Sequence, residues 1–301
     1  VTPGLPWLDA KTYYTRRWGE PLGRVGVDGG FSCPNRGPNR QAPGCTFCSE
    51  QGNRPPYQAG AADLEDQIRA GMEFQGSRYG VSRFSLYFQS FSSTWAPVET
   101  LRTIYNRALA AGSFAELTVG TRPDCVPEAV ADLLASYQGP QREVWVELGL
   151  QSSRDETLDR IRRGHGVAAF REAASRLRDR GLRFTTHVMF GLPGEGKAEF
   201  LDTVALALAE GSSGLKFHDL ILVPGTELYR QWEAGSVAPV NPEAFLEAAA
   251  EALVGLSPEV VLWRVQSDPE DRQSVPAPGD KWPKNRFLNR LAAEVRKRQG
   301  L

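Results

Sequence analysis

The stretch Val27-Asp28-Gly29-Gly30-Phe31-Ser32-Cys33, running on to Gly44-Cys45-Thr46-Phe47-Cys48, carries three of the chain's four cysteines. Eleven residues separate Cys33 from Cys45, and two separate Cys45 from Cys48. The glycines, prolines and asparagines between them continue neither a helix nor a strand, which predicts a long loop folded around something. Three thiols in one loop, two of them separated by two residues, is ligand spacing for a metal ion or an iron–sulfur cluster. Their number matters: a structural zinc site closes with four ligands, whereas three leave a position open for chemistry.

Working outward, residues 24–28 read as a short strand feeding this loop. Beyond it, Asp63 suits a helix N-cap, and Leu64, Ile68 and Met72 recur at helical spacing. Strands are then expected at 84–89, 116–120, 144–150, 184–190 and 215–223, with amphipathic helical stretches between them. Ser153-Arg154-Asp155-Glu156 reads as a capping box. Six strands alternating with helices imply parallel pairing and, most economically, a half-open (β/α)6 barrel. In such barrels chemistry gathers at the C-terminal ends of the strands. Each strand is followed there by a polar or glycine-rich motif: the cysteines, Gln89-Ser90, Thr121-Arg122-Pro123-Asp124, Gln151, Gly191-Leu192-Pro193-Gly194-Glu195 and Pro224-Gly225-Thr226. The expected α/β architecture is this partial barrel over 24–235, with its cysteine-rich loop at 29–53. A polar, irregular extension over 1–23 precedes it, and a short helical and strand extension over 236–301 follows.

Composition narrows the function classes. No run approaches the ~18 apolar residues of a membrane span, and no basic-then-apolar leader opens the chain. A cytoplasmic protein without a membrane partner is expected. Four cysteines in 301 residues favour metal or catalytic use over a disulfide framework. The net charge of −1 gives no global case for nucleic acid, so any such case must be local. The local candidate is the C-terminal segment, where Lys281, Lys284, Arg286, Arg290, Arg296, Lys297 and Arg298 surround Trp282 and Phe287. Basic groups interleaved with aromatics suit a phosphate backbone and stacked bases. The alternative is a solvated helix whose Phe287 and Leu291 pack on the barrel.

On its three-cysteine loop, with aromatic Phe47 before the last cysteine, the chain resembles the radical S-adenosylmethionine (SAM) enzymes. The wide first gap and the run Asp28 to Arg36 resemble the YhcC-type branch, related to the radical SAM core of the Elongator catalytic subunit. The resemblance extends over roughly residues 13–290. It includes Val119 to Asp124, Glu147 to Ser152, Arg163-Gly164-His165 and His187 to Glu195, and departs at Arg264-Val265-Gln266-Ser267-Asp268-Pro269.

It implies a [4Fe-4S] cluster on Cys33, Cys45 and Cys48, and SAM cleaved reductively to a 5′-deoxyadenosyl radical. A one-electron reductant of flavodoxin or ferredoxin type would be a partner. By the same resemblance, Gln89 and Ser90 lie by the methionine ammonium, with Thr121 on the next strand end. Gln151 touches the ribose, Arg163 meets the carboxylate, and Leu222 and Val223 lie beside the adenine. Related enzymes act on C5 of the wobble uridine of tRNA, which makes tRNA the favoured substrate. A small-molecule or peptide substrate is the competing enzyme reading, and a zinc-stabilised RNA-binding module the non-enzyme one. His187, inside an apolar strand, faces either the barrel or the helix layer. Cys125 reads as a small buried hydrophobe.

Overall fold

In the computed structural model, which describes residues 4–49, 56–58, 61, 63–267 and 282–300, the expected strands form one parallel sheet. Residues 50–53 of the expected cluster loop, and Asp268, Pro269 and Lys281, lie outside the described residues. The strands are β1 (Leu8–Asp9), β2 (Gly23–Val27), β3 (Phe84–Phe88), β4 (Phe114–Thr121), β5 (Glu143–Gln151), β6 (Arg183–Phe190), β7 (Gly214–Asp219) and β8 (Val261–Arg264). Their order is β1-β8-β7-β6-β5-β4-β3-β2. The six expected strands are β2 to β7, in sequence order across the sheet. The partial barrel therefore stands, extended at one edge by a strand from each flank of the chain.

The helices are α1 (Ala10–Trp18), α2 (Leu64–Tyr79), α3 (Val98–Ala110), α4 (Glu128–Ala135), α5 (Asp155–Arg160), α6 (Val167–Asp179), α7 (Lys197–Ala209), α8 (Glu227–Glu233), α9 (Pro242–Val254) and α10 (Lys284–Gln299). Asp63 caps α2 as expected, its carboxylate accepting the Asp66 N–H at 2.8 Å. The capping box at α5 does not form: Arg154 is the N-cap and makes no side-chain cap bond. Ser153 instead spends its N–H on Thr203 Oγ1 of α7 at 2.9 Å.

The apolar core lies between the sheet and the helices. Along β5, Val144, Val146, Leu148 and Leu150 face that core, while Glu147, Gly149 and Gln151 line a cavity inside the half-barrel. Successive strand side chains point to opposite faces, so the polar residues of β5 fall together on the concave side.

Two expectations are corrected. Within the described part of the N-terminal extension, residues 8–18 are not irregular: β1 pairs with β8, and α1 closes the N-terminal end of the half-barrel. Tyr13 of α1 meets Trp145 and Trp263 edge-on, with ring centroids 5.6 and 5.7 Å apart. Its neighbour Tyr14 donates to Glu116 Oε1 at 2.7 Å.

At the other end, Trp282 and Phe287 are not stacking platforms. Both are buried, and Phe287 stacks on Phe245 of α9 at 5.1 Å. The guanidinium groups of Arg286 and Arg290 cover the Trp282 ring at 4.8 and 4.1 Å. Arg290 is also paired with Glu243, and Arg298 with Glu294. The helix-packing alternative holds for this segment, because a buried aromatic face stabilises α10 more than exposure would.

Candidate active site

The cysteine loop leaves β2 and is held in shape by two arginines. Arg36 is buried and donates to the carbonyls of Cys48 at 2.9 Å and Ser49 at 2.7 Å. Arg40 donates to the Phe31 carbonyl and pairs with Asp28. These bonds give a chain with little regular structure the polar partners that buried backbone requires. Cys33, Cys45 and Cys48 all carry free thiols and line one cavity of about 300 Å³ at the C-terminal mouth of the half-barrel. Cys125 lies outside its lining, and burial pushes that thiol up to about 12.

Cationic and amide donors surround two of the three sulfurs. Arg163 Nη1 lies 3.6 Å from Cys45 Sγ, Arg122 Nη1 3.7 Å from Cys33 Sγ, and Asn35 Nδ2 3.3 Å from Cys45 Sγ. Hydrogen bonds to sulfur tune a cluster's potential. Among the described residues, no group of three His, Cys, Asp or Glu side chains is placed to hold a single metal ion.

The other residues singled out from the sequence divide as follows. Phe47, Gln89, Thr121, Gln151, Arg163, His187 and Val223 line the cavity with the cysteines. Ser90 and Leu222 are not in its lining. Ser90 is buried with an unpartnered hydroxyl, and Leu222 packs with Leu220, Leu228 and Met189 in a second apolar cluster. The strand expected over 215–223 ends at Asp219, so both Leu222 and the cavity-lining Val223 lie beyond β7. Gln151 has φ of 77°, and the β5–β6 register shifts between Gly149 and Gln151. A left-handed glutamine costs of order 1–3 kcal/mol and persists where the surroundings impose it. Gln151 Oε1 and Arg163 Nε are buried without a hydrogen-bond partner. Buried polar atoms are normally satisfied, so this wall of the cavity fits a polar ligand.

Gly149 makes room for Arg163. The Arg163 Nη2 donates to the Gly149 carbonyl at 2.6 Å, and a Cβ on Gly149 would lie 2.5 Å from that nitrogen. Alanine at 149 is therefore expected to displace the guanidinium while the strand survives. If Arg163 meets the SAM carboxylate, as the resemblance implies, Arg163→Ala should weaken SAM binding by about 1–3 kcal/mol, and Gly149→Ala should cost part of that. The double variant should be no worse than Arg163→Ala alone, because both act on one group. Equilibrium dialysis against labelled SAM measures this, and additive losses would count against the coupling.

The floor of the cavity holds a polar cluster of which only His187 was singled out from the sequence. Glu147 Oε2 accepts from the Tyr87 hydroxyl at 2.5 Å, Lys216 Nζ at 2.7 Å and His187 Nε2 at 2.9 Å. Its Oε1 accepts from Arg24 at 3.2 Å. Burial alone would raise the Glu147 carboxyl, but Lys216, the His187 hydrogen bond and Arg24 outweigh it and hold the group well below the usual carboxylate range. Burial, with help from Arg264 and Arg24, pulls Lys216 down to about 7 against the opposing pull of Glu147. Burial likewise lowers His187 to about 4. His187 is thus both turned to the cavity and satisfied. The missed signal was a charged residue in the middle of each of two buried strands, Glu147 in β5 and Lys216 in β7. Such residues are rarely buried unless paired.

Comparison with known proteins decides the family. The sequence model of the radical SAM superfamily matches residues 33–207, and that of a radical SAM C-terminal domain matches residues 212–297. The chain belongs to the radical SAM superfamily. This radical SAM protein is 39% identical over 277 residues to protein YhcC of Escherichia coli K12, covering 91% of this chain and 86% of that one. It is 31% identical over 160 residues to Elongator complex protein 3 of Mus musculus, half of this chain but 28% of the relative. Among solved structures it shares the fold of an archaeal Elp3 from Methanocaldococcus infernus, with a TM-score of 0.71 at 21% identity. That match covers 93% of this chain and 63% of the other. It is thus a radical SAM protein of YhcC type, related to the Elongator core. A [4Fe-4S] cluster and SAM are the cofactors of the superfamily, and the thiols, the donors on sulfur and the unpartnered polar atoms of this cavity fit them. No helix among the described residues is long and apolar enough to cross a membrane.

Proposed function

We propose that Cys33, Cys45 and Cys48 hold the cluster, that SAM lies against Gln89, Thr121, Gln151 and Arg163, and that the substrate is tRNA, modified at C5 of its wobble uridine. Val223 would flank the adenine, whereas Leu222, packed in the second apolar cluster, would not. When bound, the cofactor pair supplies a 5′-deoxyadenosyl radical that abstracts hydrogen from an unreactive carbon. One observation carries the cofactor part of this reading: buried, unpartnered atoms of Gln151 and Arg163 stand in the same cavity wall as three free cysteines. Arg163 is suited to a carboxylate, which its fork can meet in two bonds. Gln151 is suited to a ribose hydroxyl, its amide being both donor and acceptor. The electron would come from a flavodoxin or ferredoxin in the cytoplasm.

The tRNA part rests on the likeness to the Elongator subunit, since the C-terminal aromatics are buried. Nucleoside mass spectrometry of tRNA from a strain lacking the gene tests it. A wobble-uridine derivative should disappear or its precursor accumulate, and an unchanged nucleoside profile would refute the proposal. The exposed face of α10 is tested separately with Lys284, Arg286 and Arg290 reversed to glutamate. If those groups meet phosphates, log affinity for tRNA should fall less steeply with log salt, by about 0.7 to 0.9 for each phosphate no longer neutralised. Equal slopes would remove α10 from the binding surface.

A further inference from the structure

Beneath the wall assigned to SAM, one row of residues crosses four strands in register: Gly149 of β5, His187 of β6, Lys216 of β7 and Arg264 of β8. His187, Lys216 and Arg264 all line the cavity. The cations near this floor are Arg24, Lys216 and Arg264. Glu147 is the anion at their centre, and its two oxygens already accept from four groups. Glu116 lies deeper, bonded to Tyr14, Ser85 and Thr118, and its carboxyl is raised by burial. Asp219, also in the lining, accepts the Ser267 N–H at 2.7 Å. Lys216 is committed to Glu147 and to the Tyr87 hydroxyl, and Arg24 to Glu147 and the faces of Tyr87 and Trp263. Arg264 differs. Among the described residues its guanidinium makes no hydrogen bond or ion pair, although the side chain is half-buried in the cavity wall.

A guanidinium in such a place has five donors and a fixed positive charge, a geometry matched to carboxylate and phosphate oxygens. We propose that Arg264, backed by Lys216, is a receptor for an oxyanion carried by the substrate, distinct from the carboxylate of SAM. The separation supports the distinction. Arg163, the group suited to SAM, is bonded to Gly149 on β5, whereas Arg264 is three strands further along the row. At the usual strand spacing that is roughly 14 Å along the sheet. The subsite deepens the enzyme reading given above by adding a chemical requirement: the portion of the substrate that enters the barrel ends in a carboxylate or a phosphate. The inference depends on SAM occupying the Gln151–Arg163 wall.

The test uses the reconstituted protein with SAM bound, without reductant and without RNA, so that it does not share the fate of the tRNA proposal. Carbon-13 acetate and inorganic phosphate are titrated separately by ligand-observed NMR. One of them should bind at millimolar concentration, and which one identifies the anion. Arg264→Gln should weaken that binding about tenfold or more, the scale of a lost charge-assisted pair. Arg264→Lys should retain part of it, showing that charge at this position and not misfolding is responsible. Cluster content and SAM affinity are measured in both variants. Absence of binding by either anion, or equal binding in Arg264→Gln, overturns the proposal. So does loss of SAM affinity in Arg264→Gln, which would assign the guanidinium to the cofactor.

Discussion

Alanine at Cys33, Cys45 or Cys48 is expected to yield a colourless protein that holds neither iron nor sulfide after anaerobic reconstitution, while the parent chain takes up about four of each. Loss of one thiolate from a three-thiolate set leaves a second iron without a protein ligand, so each single change should act nearly as strongly as all three. Cys125→Ala should keep the full complement, because that thiol is buried outside the cavity lining and burial keeps it protonated. Iron and acid-labile sulfide assays decide the matter. Retention of the cluster in any one of the three variants would show that the ligand set has been misassigned. Tight binding of one zinc by the parent chain would replace the cluster with a closed structural site.

The second large effect concerns Glu147. Replacing it by glutamine keeps the shape but removes the charge that Lys216 and Arg24 face in a buried setting. Breaking a buried ion pair from one side costs about 3–5 kcal/mol, since the remaining charge is left uncompensated. Glu147→Gln should therefore unfold at markedly lower urea. Glu147→Gln with Lys216→Met should recover part of the loss, because the amine left buried without its acceptor is gone. The pH dependence has a definite sign. A carboxyl held below its ordinary pKa contributes fully above about 4.3, the unfolded value, and its contribution fades as pH falls through the depressed folded value. The gap between the parent and Glu147→Gln should narrow in acid, and also as pH rises through about 7, where Lys216 loses the proton that the pair needs. Equal urea midpoints at neutral pH would mean that the cluster contributes nothing to stability.

Much of the architecture was legible because it rests on local chemistry. Apolar strand cores, an N-cap at Asp63 and turn-forming residues between elements are readable one segment at a time. The placement of Gln151 and Arg163 in one wall was legible only through likeness to a family, since nothing local ties residue 151 to residue 163. Of the barrel floor only His187 was legible, and only as one of two alternatives. Glu147 and Lys216 come from strands far apart in sequence, and their pairing exists only once β5, β6 and β7 lie in register. Tyr13 and Tyr14 misled for the opposite reason: a polar helix whose aromatic faces plug a barrel end looks irregular until its partners Trp145 and Trp263 are known. The C-terminal aromatics misled because cationic side chains over a buried ring give the same composition as a nucleic-acid surface.

The pairing of β1 with β8 bears on how the chain is made. Leu8 sits opposite Val261, and Arg296 of α10 reaches back to the Gly4 carbonyl, 2.5 Å away. During synthesis β1 waits without its partner until nearly all the intervening sheet has emerged from the ribosome. Contacts this distant in sequence form late and slowly. Until then the outer edge of the growing sheet exposes unpaired backbone groups, a template for association between nascent chains. A two-residue strand is a short seal, but it ends the sheet with backbone that offers little to a neighbouring molecule.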